Sequence, residues 1–180
     1  MIRMTITFRK VNEADLGLLH DWLNRTHVHE WYDKDKSNTF DEIKSRYLPK
    51  ILGKQPTDCY LACDDGKPFG YLQTYRVNDW PEFGDHIGYD WSTASVDLYI
   101  GDESYLGKGY GKKMLSQFLR DVVFVKAGID TCILGPEPEN LRAIAVYKSV
   151  GYSHKKTVLI PGEHQPTYIM ELRKSDLKDG

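Results

Sequence analysis

Residues 95–126 constrain the fold of this chain more than any other stretch, because a strand runs there into a triple-glycine turn and a long helical segment. Ser95-Val96-Asp97-Leu98-Tyr99-Ile100-Gly101 reads as the strand and Gly107-Lys108-Gly109-Tyr110-Gly111 as the turn, with the helix extending to about Lys126. Glycines at alternate positions let the backbone bend tightly and aim several N–H groups at one point. The helix start adds the positive end of its dipole, which suits a phosphate or pyrophosphate. Lys108, Lys112 and Lys113 add positive charge nearby. A purely structural turn is the competing reading.

Two common phosphate binders do not fit. A nucleoside-triphosphate loop needs Ser or Thr after its Gly-Lys, whereas Lys113 follows Gly111-Lys112. A dinucleotide fold needs its third glycine three positions after the second, at the first strand–helix turn. Here the third glycine comes two positions after the second, and the turn lies past the middle of the chain.

The rest of the chain supplies a sheet and helices for one domain of 180 residues. Ile6–Val11 alternates like a first strand, and Asn12 can cap a helix running to about Asn24 with Leu16, Leu19 and Leu23 on one face. Thr39-Phe40-Asp41-Glu42 is a capping box that opens a second helix through about Leu52. Asp58–Cys63 and Phe69–Val77 read as strands joined by the turn at 64–68. Asn78–Ser92 has no clear period and reads as a long loop. After the glycine turn and its helix come a short strand at Asp130–Leu134 and a helix from Glu139 or Asn140 that stops at Gly151. Strands near Ser153–Ile160 and Thr167–Leu172 flank the turn at Pro161-Gly162. The order βααββ-βαβα-ββ predicts an α/β mixed sheet with helices on both faces.

Composition excludes several classes of function. No apolar run approaches the roughly 18 residues of a membrane span, and Met1–Thr5 carries no signal-peptide block. Cys59, Cys63 and Cys132 are too few for a disulfide framework and lack metal spacing, so they read as buried thiols in a reducing cytoplasm. A net charge of −2 without basic runs argues against nucleic acid and is compatible with a cationic substrate. His27, His29 and Glu30 have the wrong spacing for a metal site, so no metal is expected.

Leu106-Gly107-Lys108-Gly109-Tyr110-Gly111 resembles the coenzyme-A signature of the GNAT acyltransferases, [Gln/Arg]-x-x-Gly-x-[Gly/Ala], departing only at Leu106. Asn140 through Tyr152 resembles that superfamily's second hallmark, N-x-x-A-x-x-x-Y-x-x-x-G-[Phe/Tyr]. The resemblance extends over nearly the whole chain to the aminoglycoside 6′-N-acetyltransferases. Asp21–His27, Glu30-Trp31-Tyr32, Tyr47-Leu48-Pro49, Gly70–Tyr75 and Val96–Gly101 carry it. Siderophore-type lysine N-acyltransferases share parts of this set.

That resemblance implies the GNAT fold, a central splayed mixed sheet flanked by helices, with acetyl-coenzyme A (acetyl-CoA) as co-substrate. It implies that Leu98, Tyr99 and Ile100 lend backbone groups to the pantetheine arm, while Gly107, Lys108, Gly109, Tyr110, Gly111 and Lys112 hold the pyrophosphate. Asn140, Ala143, Tyr147 and Lys148 are further coenzyme contacts. Asp97 becomes the carboxylate that holds the acceptor ammonium and helps remove its proton; an outward-facing residue or a structural ion pair is the alternative. Tyr147 becomes the proton donor to the leaving thiolate; a plain core tyrosine is the alternative. Trp31, Tyr32, Gln73, Tyr75, Asp79, Trp80, Glu82 and Asp85, with Asp97, form the acceptor side, where aromatic faces and acids suit a polycationic small-molecule amine. Gly135 stands where the resembled antibiotic enzymes place a substrate-contacting aspartate.

The expected reaction is direct transfer in a ternary complex, without a covalent intermediate, since no cysteine lies near either motif. The first acceptor is an aminoglycoside 6′-amine. A siderophore-precursor lysine side chain and a non-catalytic acyl-CoA sensor remain open. The expected setting is a cytoplasmic monomer or homodimer, without membrane or nucleic-acid partners.

Overall fold

The cap at Thr39 shows how local sequence sets this fold: its side chain accepts from the Glu42 N–H while Glu42 accepts from the Thr39 N–H, starting a helix at Phe40. A second box at Asn12 and Asp15 does the same for the first helical segment. Residues 6–34 and 36–178 are described by the computed structural model, so Met1–Thr5 lies outside the described residues.

In chain order the elements are β1 (Ile6–Lys10), α1 (Leu16–Leu23), α2 (Thr26–His29), α3 (Phe40–Ile51), β2 (Asp58–Asp64) and β3 (Lys67–Arg76). Then follow α4 (Pro81–Ile87), β4 (Thr93–Ile100), α5 (Tyr110–Phe118), β5 (Thr131–Leu134), α6 (Leu141–Val150), β6 (Ser153–Val158) and β7 (Thr167–Arg173). The strands form one seven-stranded sheet in the order β1-β2-β3-β4-β5-β7-β6. It is mixed: β4 and β5 run parallel, whereas β1–β2, β5–β7 and β6–β7 are antiparallel.

Contacts group the chain into two compact units. One combines the described residues up to Gln73 with Leu98–Gly109; the other combines Thr74–Asp97 with the described residues from Tyr110 onward. In the first unit, the α1 face of Leu16, Leu19 and Leu23 packs with Trp22, Ile43, Tyr47, Leu61, Tyr71 and Tyr99. Each such aliphatic side chain, fully buried, contributes about 1.5–3 kcal/mol. Asp15 is buried at the edge of this layer, and Arg9 grips it through two hydrogen bonds of 2.8 Å. In the second unit, Val77 and Ile87 pack with Ile133 and Ile169, with Phe83, Tyr89 and Val158 around them.

Three local expectations are corrected. Asn78–Ser92 is not a continuous loop: a turn at Val77–Asp79 leads into α4, with Pro81 opening the helix and Gly88 closing it at φ 69°. Two turns of helix are too short to show a hydrophobic period. The short α2 was likewise unforeseen. After Phe118, α5 gives way to a π-type turn at Leu119–Val123 instead of continuing to Lys126. No helix among the described residues is long and apolar enough to cross a membrane.

Gly101 closes β4 against Trp22 in the first unit. A Cβ there would lie 2.0 Å from an indole carbon that is itself buried. Gly101→Ala is therefore expected to lower unfolding stability by about 3 kcal/mol, measured by urea titration; an unchanged midpoint would contradict this packing.

Candidate active site

Strand β4 carries the chemistry because it changes character at Asp97. Thr93, Ala94, Ser95 and Val96 are buried, and Asp97 is half-buried. Thr93, Ala94 and Ser95 pair with Thr131, Cys132 and Ile133; β5 then ends at Leu134 while β4 runs on to Ile100. Alternation along a strand places Ser95 and Asp97 on one face.

In the second unit, two phenols respond to that face. The Tyr75 hydroxyl is pushed far above the ordinary phenol range, first by burial and then by the negative charge of Asp97, with a hydrogen bond to Ser95 opposing. The Tyr147 hydroxyl, on α6, is raised by burial and again by Asp97. Both stay protonated at neutral pH, so both are hydrogen-bond donors. Trp80 and Phe83 fix the Tyr75 ring edge-on, each at 6.3 Å between centroids. Asp79, Glu82 and Asp85 are exposed on the segment that carries Trp80 and Phe83.

Cys132 corrects the expectation that no cysteine lies near the motifs. Its thiol is close enough to feel Asp97, yet burial is the larger effect and pushes it to about 12. The nucleophilic form of cysteine is the thiolate, and this thiol stays protonated.

Glu163, which carried no local signal in the sequence, also belongs to this neighbourhood. Thr167 Oγ1 donates to Glu163 Oε2 at 3.0 Å, and the Glu163 charge contributes to raising Tyr75. The methyl group of Thr167 occupies the space beside Gly135, 2.4 Å from where a Cβ would stand.

On α6, Asn140 is the N-cap and accepts from the Ala143 N–H at 3.1 Å, so these two polar groups satisfy each other. Lys148 is exposed in the last turn. Tyr110, Gly111 and Lys112 form the start of α5, whose first N–H groups have no partner within the helix.

The first unit holds the remaining predicted residues. Tyr99 stacks on Tyr71 at 5.2 Å and meets Tyr32 edge-on at 4.8 Å. Trp31 is exposed, whereas Gln73 is buried and its Oε1 accepts from Lys50 and Tyr71. Leu98 and Ile100 are half-buried on β4. Gly107 and Gly109 adopt φ 72° and 80° with open space around them, so backbone conformation and not crowding calls for glycine. Lys108 is exposed between them. His29 Nδ1 accepts from Asn38, and no group of three metal-ligating side chains occurs among the described residues.

Residues 11–160 match the family described as an acetyltransferase (GNAT) domain. The chain is 30% identical to aminoglycoside N(6′)-acetyltransferase type 1 of Klebsiella pneumoniae, over 95% of this chain and 85% of that protein. Among solved structures, AAC(6′)-Ib in complex with ribostamycin and coenzyme A superposes with a TM-score of 0.85 at 30% identity, covering 96% of this chain and 95% of that one. A spermidine N-acetyltransferase from Vibrio cholerae shares the fold at 19% identity and a TM-score of 0.74, over 95% of this chain and 96% of that one.

The packing at Gly135 yields a direct test. Gly135→Asp must displace Thr167, and is expected to cost about 1–3 kcal/mol of stability in urea unfolding. Adding Thr167→Ser, which removes the obstructing methyl, should recover part of that loss.

Proposed function

The chain belongs to the GNAT acetyltransferases, and from that premise we propose that it moves the acetyl group of acetyl-coenzyme A to the 6′-amine of an aminoglycoside. The observation that carries the site assignment is the half-buried Asp97, on a strand leading into a glycine turn, whose charge reaches the half-buried Tyr75 and Tyr147. We read the chain as one catalytic domain, because the family match spans residues of both units.

Coenzyme A fits the residues present. In this reading the pyrophosphate rests on the backbone amides of 107–111, and the pantetheine amides pair with Leu98–Ile100 as an added strand would. No metal is required.

The amine must attack as a neutral group, since its lone pair forms the new C–N bond. An alkyl ammonium has a pKa of about 10, so the attacking species is the fraction that has released this first proton to water, at a cost of about 4 kcal/mol at neutral pH. Asp97 acts first by holding the amine in place. It takes the second proton, directly or through water, once the nitrogen is bonded to the tetrahedral carbon and has become strongly acidic, and later returns it to solvent. The C–S bond then breaks and coenzyme A leaves as a thiolate. Tyr147, kept protonated, donates a hydrogen bond to that sulfur; full proton transfer is not needed for a group whose pKa is about 8.5. Since Cys132 stays a thiol, transfer is direct in a ternary complex.

Tyr75, Trp80, Asp79, Glu82 and Asp85 serve the acceptor, and Glu163 joins them as a carboxylate for a polycationic substrate. Trp31 and Tyr32, in the first unit, enter this reading from the sequence resemblance alone. Gln73 and Asn140 contribute through the positions they hold, given their internal bonds. Three free, buried thiols suit a cytoplasmic enzyme, working as a monomer or homodimer.

The test is coenzyme-A release with kanamycin or tobramycin against hydroxylysine-type amines. Aminoglycoside turnover is expected, with Asp97→Asn lowering kcat/KM by about 100- to 10,000-fold. Tyr147→Phe should lower kcat by roughly tenfold or less. Exclusive turnover of hydroxylysine-type amines would reassign the acceptor, and tight coenzyme binding without turnover of any amine would indicate a sensor.

A further inference from the structure

Between β4 and the glycine turn the chain bends at Gly101, and the bend is held from several sides within the first unit. The N–H groups of Gly101 and Asp102 both donate to the Phe69 carbonyl, at 2.8 and 3.1 Å. Successive N–H groups of a regular strand point in opposite directions, so two sharing one acceptor mark the point where strand geometry ends. The carbonyls of this bend are also taken. Arg25 donates to the Gly101 oxygen at 2.9 Å, and His27 Nε2 lies 2.9 Å from the Ile100 oxygen. A carbonyl only accepts, so Nε2 carries the hydrogen. Trp22 fills the space beside Gly101.

We propose that Arg25 and His27 are positioning residues for coenzyme A, fixing the bend that joins the strand facing the pantetheine arm to the turn facing the pyrophosphate. The proposal rests on the acetyltransferase reading above and extends it to two residues outside both motifs. A coenzyme gripped at two places needs those places at a set spacing. The short link 101–106 sets that spacing, and slack in it must be frozen out on binding at the expense of affinity. Strand pairing alone would satisfy the end of β4. Two side chains from the α1–α2 region, each bonded to a successive carbonyl, define the direction in which the chain departs.

The test uses the full chain with Arg25→Met, which keeps the apolar stem, and His27→Leu. Coenzyme-A affinity is read by titration calorimetry, KM is read separately for acetyl-coenzyme A and the acceptor, and thermal unfolding is followed in parallel. Each variant should weaken coenzyme A by about 5- to 10-fold, the value of one hydrogen bond in binding, with the acceptor KM changed less than about twofold. His27→Gln, whose amide nitrogen reaches the place of Nε2, should restore affinity, whereas His27→Asn, whose nitrogen falls short, should not. That Gln–Asn pair carries the test if His27→Leu does not fold.

Equal loss for both substrates with a lowered melting temperature, or a Gln variant no better than Asn, would make the contacts purely structural and overturn the proposal. Wild-type protein that binds coenzyme A alongside variants that bind it equally well also overturns it, and leaves the acetyltransferase reading intact. Wild-type protein that binds no coenzyme A defeats both.

Discussion

A strand in the middle of a sheet must be paired to fold and must be left partly unpaired to bind an amide-rich ligand. β4 meets both demands because its partner β5 is short: the parallel ladder covers Thr93–Ser95, and β5 is finished at Leu134. Thr93 through Val96 are buried, so the paired part supplies packing. Asp97 stands at the transition, followed by Leu98–Ile100, whose far end is secured through the Phe69 carbonyl and Trp22. The strand beyond Asp97 thus runs past the end of β5 and ends at a bend that is itself hydrogen-bonded and packed.

The electrostatics follow from the same placement. Burial next to a carboxylate raises the Tyr75 and Tyr147 hydroxyls and the Cys132 thiol together, because each would have to acquire a negative charge near an existing one. Asp97 thus lies beside three groups that stay protonated, and Glu163 is a second carboxylate acting on Tyr75. The same arrangement removes the cysteine from contention as a nucleophile. The proposal of direct transfer therefore rests first on the burial of Cys132 and second on the Asp97 charge.

Much of this was readable in the sequence where the signal is local. The box at Thr39, a cap at Asn12, the glycines at 107 and 109, and a helix start at Glu139 or Asn140 are legible because a few adjacent residues decide them. The helix α4 was missed because Gly84 interrupts a segment with only Phe83 and Ile87 as apolar markers. Cys132 and Glu163 were missed for a different reason. Each meets the Asp97–Tyr75 neighbourhood from a distant part of the chain, and tertiary proximity leaves no trace in local spacing. Gln73 shows what local spacing does not reveal: its amide oxygen is shared between Lys50 and Tyr71.

Acceptor choice is where the fold stops being informative. A fold does not by itself select a substrate, and a spermidine acetyltransferase shares this one at 19% identity. In the proposed reading, selection falls to carboxylates and aromatic faces. Position 135 is crowded by the Thr167 methyl, while the hydroxyl of that threonine orients Glu163. One residue thus disfavours an acid at the end of β5 and holds another on the β6–β7 connection. A carboxylate on that connection meets a cation from a different direction than one on β5 would. For the acceptor role proposed for Glu163, this placement makes the spacing between two amines, more than total charge, the expected discriminator.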